Sequence, residues 1–94
     1  MSAYIIGRIT VNDPQDYQAY AAQTVALAEK FGGRFLVKGG AQVVLEGNCH
    51  DRHVIIAFPD REAALAFYNS DAYRHILPLA LSSSSRDLVI VDGA

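Results

Sequence analysis

The sequence predicts an α+β fold: one antiparallel sheet of four strands, with helices on one face only. Three observations predict it. Strand-type and helix-type patterns follow one another in the order strand, helix, strand, strand, helix, strand. Several strands are apolar on both faces, although the chain has helices enough to cover only one. Two Gly-Gly pairs, Gly32-Gly33 and Gly39-Gly40, bracket a short strand that opens with Arg34.

The first strand is Ala3 to Val11. Ile5, Gly7, Ile9 and Val11 share one face; Tyr4, Ile6, Arg8 and Thr10 share the other. Asp13-Pro14 opens a helix, with Asp13 as N-cap, Pro14 in the first helical position and Asp16 near the positive end of the dipole. Tyr17, Tyr20, Ala21, Thr24, Leu27, Ala28 and Phe31 recur at three- and four-residue spacing and form one stripe. Gly32-Gly33 ends that helix. Arg34 to Lys38 is a strand, interrupted at Gly39-Gly40 and resumed from Gln42 to Glu46. A bulge, a bend or a tight hairpin each fits the glycine pair. On simple alternation Arg34, Leu36 and Lys38 share a face, opposite Phe35 and Val37.

Gly47 to Arg52 reads as a polar turn, and His53 to Phe58 as an almost wholly apolar strand. Pro59 stops it. Asp60 caps a second helix carrying Ala63, Ala64, Leu65, Phe67 and Tyr68. Ser70 caps a further short helix from Asp71 to about Leu77, where Pro78 interrupts the pattern. Ser82 to Ser85 is a polar connection, and Asp87 to Val91 is the last strand. This order is the split βαβ arrangement of a ferredoxin-like fold. The face without helices still carries Tyr4, Ile6 and alternate residues of two later strands, so its simplest cover is the sheet of a second copy.

Composition bounds the rest. Residues 1–94 make one domain, 51% hydrophobic with a formal net charge of −2. So small a chain buries a limited share of its surface, which favours association with a copy of itself. Nothing is basic enough for a nucleic-acid footprint. One cysteine forms no internal disulfide and suits a reducing compartment. No apolar run is of membrane-spanning length, and no signal-peptide pattern opens the chain. The expectation is a cytoplasmic homodimer with no membrane or nucleic-acid partner.

Several segments, taken in order, resemble the domain of unknown function 1330 family of the dimeric α/β-barrel superfamily. They are the opening Ala-Tyr-Ile-Ile, Val-Asn-Asp-Pro, Tyr17 and Tyr20, then Phe31-Gly-Gly-Arg-Phe-Leu-Val-Lys-Gly-Gly40 and Leu45-Glu-Gly47. Arg52, Phe58-Pro59 and the run from Ala64 to Tyr73 complete the set. The likeness covers almost the whole chain. One departure is Asn48-Cys49-His50, where family members often carry an aromatic residue. The resemblance implies a ferredoxin-like fold and two sheets paired into a barrel. Relatives in the wider superfamily include cofactor-free monooxygenases, lactone isomerases and heme proteins, so it implies no one reaction.

Candidate site residues come from the polar groups near a prospective pocket. Arg8, Arg34, Glu46, Arg52 and Arg86 sit on or beside strands; Tyr17, Tyr20, Tyr68 and Tyr73 sit on helices. Arginine beside tyrosine hydroxyls suits a small carboxylate or enolate, since guanidinium offers forked donors and a permanent charge. Ion pairs with Glu46, Asp16 or Asp87 are the purely structural alternative. From this set Arg34, Arg52, Tyr20 and Tyr68 are the candidate ligand-binding residues. His53 and Glu46 are the candidate catalytic bases. Arg34 is expected in a polar cluster with Glu46, Asp87 or a bound anion.

Cys49, His50 and His53 match no closed four-ligand metal site, so neither metal nor cofactor is expected. Cys49 lacks the setting of a nucleophile, and His75 reads as a surface residue. Neither glycine pair precedes a helix as a phosphate loop requires. Two kinds of function fit: a cofactor-free oxygenase- or isomerase-like enzyme on a small aromatic or carboxylate compound, or a non-catalytic small-molecule binding or stress-associated module. A purely structural dimer is the third.

Overall fold

The structure, a computed structural model, describes every residue from Met1 to Ala94. Its elements are β1 (Ala3–Val11), α1 (Pro14–Glu29), β2 (Arg34–Lys38), β3 (Arg52–Phe58), α2 (Arg61–Tyr68), α3 (Asp71–Ser83) and β4 (Ser84–Asp92). The four strands form one sheet in the order β2-β3-β1-β4, with every neighbouring pair antiparallel. This is the ferredoxin-like α+β fold, and all three helices lie on one face. No helix is long and apolar enough to cross a membrane.

Local chemistry sets the helix starts. The Asp13 carboxylate accepts from the Asp16 N–H at 3.2 Å, Asp60 from Ala63 at 2.8 Å, and the Ser70 hydroxyl from Tyr73 at 3.1 Å. Each such cap stabilises its helix by about 0.5–2 kcal/mol. Between the helices and the sheet lies the core: Ile5, Ile9, Ile56 and Phe58 from the strands meet Phe67, Tyr73 and Ile76 from the helices, all buried. Phe67 sits at its centre, 4.8 Å from the Tyr73 ring, 5.5 Å from Phe58 and 6.2 Å from Phe31 between centroids.

The register sorts side chains into rows. On the helix side Phe35, Ile56, Ile5 and Ile90 align, and Arg52, Ile9 and Arg86 form a row nearer the far end of β1. On the open side Val37, Ile55, Ile6 and Val89 align across all four strands, and His53, Arg8 and Asp87 form the neighbouring polar row.

Five expectations need correction. Gln42 to Glu46 is not a strand. Gly39 and Gly40 take φ of 75° and 90° and turn the chain out of the sheet; β3 is already paired with β2 and β1, and the segment joins neither outer edge of the sheet. Val43 and Leu45 are left 85% and 88% exposed. The helix beginning at Asp71 does not stop near Leu77 but runs through Pro78 to Ser83. Pro78 lacks the N–H that the Arg74 carbonyl would accept. Burial of Ile76, Leu77 and Ala80 outweighs that loss. Ser82 to Ser85 is consequently no linker. Ser83 and Ser84 donate their hydroxyls to the Leu79 and Ala80 carbonyls, and the Ser83 carbonyl accepts from both Asn12 and Asp13.

The simple alternation in β2 also fails. A bulge at Leu36 brings Val37 opposite Ile55 and Lys38 opposite Val54, so Lys38 turns to the helix side. Arg34, last, forms no polar cluster. It is exposed, its row holds Ala57, Tyr4 and Val91, and neither Glu46 nor Asp87 pairs with it.

Candidate functional site

A cavity of about 40 Å³ lies between the sheet and helices α1 and α3. Its apolar walls come from core residues such as Ile5, Val54 and Phe67, and the Leu88 side chain packs over Gly7. Its polar end is built by the Arg52–Ile9–Arg86 row. Both arginines pair with Ile9, one from each side, so both project toward the helices. There they meet Tyr17 and Tyr20, three residues apart on the buried stripe of α1. The Arg52 guanidinium carbon lies 5.5 Å from the Tyr17 ring centre, and that of Arg86 lies 5.3 Å from Tyr20. The two rings are themselves only 5.6 Å apart.

Tyr73 of α3 completes the cluster. Its hydroxyl is 2.7 Å from that of Tyr20. Nη2 of Arg86 donates to Tyr73 at 3.0 Å and to Tyr20 at 3.4 Å. Arginine only donates, and one tyrosine hydroxyl donates to the other. One hydroxyl proton therefore remains free. Burial raises the pKa of Tyr20 above the ordinary tyrosine value; Tyr73 adds to this and Arg86 opposes it. Burial likewise raises Tyr17, against the field of Arg52. Burial disfavours the charge of Arg86, but Tyr20 and Tyr73 outweigh it and hold its pKa above the usual arginine value. The Tyr17 and Tyr20 phenols thus stay neutral and act as donors at physiological pH.

Two donors have nothing to donate to. Nε of Arg52 and Nη1 of Arg86 are buried without a hydrogen-bond partner. Lys38, exposed at the rim, adds a third cation, and no carboxylate, histidine or cysteine lines the cavity. Arg52 is also held from behind. A Cβ on Gly39 would lie 2.5 Å from its Nη1, so the absence of a side chain at Gly39 makes room for the guanidinium.

Of the candidates read from the sequence, the cavity brings together Tyr20 and Arg52. Tyr68 lies behind Tyr73, ring centroids 5.3 Å apart, with Arg74 stacked on its other side. His53 projects from the open face of the sheet, in register with Arg8. Glu46 and Arg34 are exposed away from the cavity. His50 bonds Thr10 at 2.8 Å and Asp87 at 3.2 Å, and no group of three metal-ligating side chains forms. Tyr17, Tyr73 and Arg86 belong to the wider polar set that the sequence leaves without a role, and Lys38 to none. The spacing of Tyr17 and Tyr20 is a usable signal. Lys38 depends on the bulge and Tyr73 on helix packing.

Known proteins share this architecture. Residues 2–94 match the family described as Domain of unknown function (DUF1330). The chain belongs to that family. No curated protein matches this DUF1330 chain. Among solved structures, the RPA0582 protein of unknown function from Rhodopseudomonas palustris superposes with a TM-score of 0.82 at 16% identity, covering 99% of this chain and 82% of the other. A variant of SnoaB, a cofactor-independent oxygenase from Streptomyces nogalater, gives 0.72 at 15% identity, covering 98% and 92%. A dimeric ferredoxin-like protein of unknown function from Jannaschia sp. CCS1 gives 0.73 at 9% identity, covering 99% and 100%. At these identities the shared property is the fold.

Proposed function

We propose that this DUF1330 chain is a homodimeric small-molecule protein that binds its ligand beneath the sheet and stabilises negative charge on it. The observation that carries the reading is the buried Tyr20–Tyr73–Arg86 cluster inside the cavity. Neutral phenols and a guanidinium in a water-poor site are the donors that a developing enolate needs. On a substrate that reacts through an enolate, such a site serves a cofactor-free oxygenase or isomerase. The similarity in fold to SnoaB supports the oxygenase form. His53 lies on the opposite face of the sheet and Glu46 is exposed away from the cavity, so on this reading the α-proton leaves to solvent water or hydroxide that enters with the substrate. The dimer is supported by the apolar open face and by the dimeric relatives of the same fold.

A second reading, a non-catalytic binding module, is favoured by one observation: no carboxylate, histidine or cysteine lines the cavity. Solvent-deuterium exchange separates the two. Small enolisable ketones and keto acids are incubated with the protein in D2O, and their α-protons are followed by NMR. The enzyme reading predicts exchange that is lost in Tyr73→Phe and Arg86→Gln. Saturable binding with no exchange above the uncatalysed rate selects the binding module. Absence of any binding in the cavity defeats both.

A further inference from the structure

We propose that the cavity is a site for one short-chain carboxylate, its oxygens bridging Nε–H of Arg52 and Nη1–H of Arg86. The inference rests on the cavity being a ligand site and specifies the ligand's charge and size.

Charge comes first. Arg52 and Arg86 stand two strands apart, on opposite sides of Ile9, so their backbones are roughly 10 Å from one another. Their head groups lie against Tyr17 and Tyr20, whose rings are 5.6 Å apart. Two like charges are thus directed toward a common space with no acid between them. Arginine does not shed its proton to relieve this. A buried donor without a partner is costly, and more so on a charged group. Nε of Arg52 and Nη1 of Arg86 are both in that state. One anion between them satisfies both donors and offsets the repulsion. A carboxylate, with two oxygens in a plane, matches guanidinium donors better than a spherical ion does. The free hydroxyl proton of the Tyr20–Tyr73 pair is a further donor.

Size comes second. About 40 Å³ of space open to water-sized atoms suits a carboxylate head and a short chain better than an aromatic ring. Apolar walls from Val54, Ile56 and Leu88 face the short chain. Lys38 at the rim stacks over Phe35, 5.9 Å from the ring centre, and draws an anion toward the mouth.

The test uses propionate as probe and propionamide as its neutral isostere, with Arg Nε–H resonances and binding heat as readouts. Propionate should saturate, shift the Arg52 and Arg86 Nε–H signals, and bind at least roughly tenfold more tightly than propionamide, the range for a hydrogen bond to charge. Arg52→Gln and Arg86→Gln should each remove most of that preference. Arg8→Gln, a charge lost from the open face, should leave it intact. Circular dichroism and melting of each variant show that the fold is retained, and the wild-type resonance shifts stand apart from any variant's stability. Equal binding of propionate and propionamide, or an equal loss in Arg8→Gln, overturns the carboxylate site while the cavity stays a ligand site. Binding only of larger neutral aromatics overturns it in the same way. If no small molecule binds in the cavity, both readings fall.

Discussion

Two adjacent rows of the same sheet carry similar residues and meet opposite fates. On the open face, His53, Arg8 and Asp87 lie in register across three strands, and His50 closes the row with a bond to Asp87. Charges of both signs are present, and solvent reaches Arg8 and Asp87. One residue along β1, on the helix face, Arg52 and Arg86 flank Ile9 with no acid among the cavity's lining residues, and each leaves a buried donor unmatched. The first arrangement is satisfied by the His50–Asp87 pair and by solvent. The second becomes complete only with something added. Uncompensated charge under burial, more than the presence of arginine, separates a candidate site from a structural row.

The largest expected contrast concerns packing. Phe67→Ala on the helix side should cost about 3–5 kcal/mol, as deletion of a central aromatic does. It would remove contacts to Phe31, Phe58 and Tyr73 together. Val89, 52% exposed on the open face, should behave differently. Val89→Asp should leave the melting of the isolated chain nearly unchanged and disrupt self-association, read by sedimentation. A large loss of monomer stability in Val89→Asp with association intact would break the comparison.

A smaller effect sharpens the helix-side half. Gly39→Ala places a Cβ against Arg52 and an L-residue at φ 75°. The backbone part should cost about 1–2 kcal/mol. If Gly39 acts by seating Arg52, the variant should also weaken propionate binding and leave the Tyr20–Tyr73 pair undisturbed by NMR. Unchanged binding would show that Arg52 finds its place without the glycine.

Much of this architecture is legible in the sequence because it rests on local chemistry. Asp13-Pro14, Asp60 and Ser70 announce helix starts within a few residues, and β1 declares itself by alternation. What stays hidden depends on distant partners. Pro78 reads as a break until Ile76, Leu77 and Ala80 are seen to be buried together. Gln42 to Glu46 has a strand's composition, but the left-handed turn at Gly39 and Gly40 carries it away from the sheet. The bulge at Leu36 inverts a face without any glycine to mark it. In the site, Tyr20 and Arg52 can be named from type and position. Their convergence with Tyr73 and Arg86 joins residues up to 66 positions apart and is a property of α1, α3 and β4 packed together.

The smallest expected effect is one of pH. The native pKa of Tyr20 is raised above the ordinary tyrosine value of 10.0, chiefly by burial, so above that pH the unfolded chain releases a proton that the native state keeps. Stability should be flat through neutrality and fall as pH rises beyond about 10. Tyr20→Phe should lessen that fall, at a cost of about 1 kcal/mol from the lost hydrogen bonds. Equal alkaline slopes in both proteins would remove Tyr20 as the cause.

The central claim is that the helix face binds and the open face associates. It is tested most directly by titrating the native protein with propionate and following side-chain resonances on both faces at once. Saturable shifts are expected at Arg52, Arg86, Tyr17, Tyr20 and Tyr73, with Tyr4, Ile6, His53 and Val89 unmoved. Shifts centred on the open-face residues, with the two arginines silent, would contradict it.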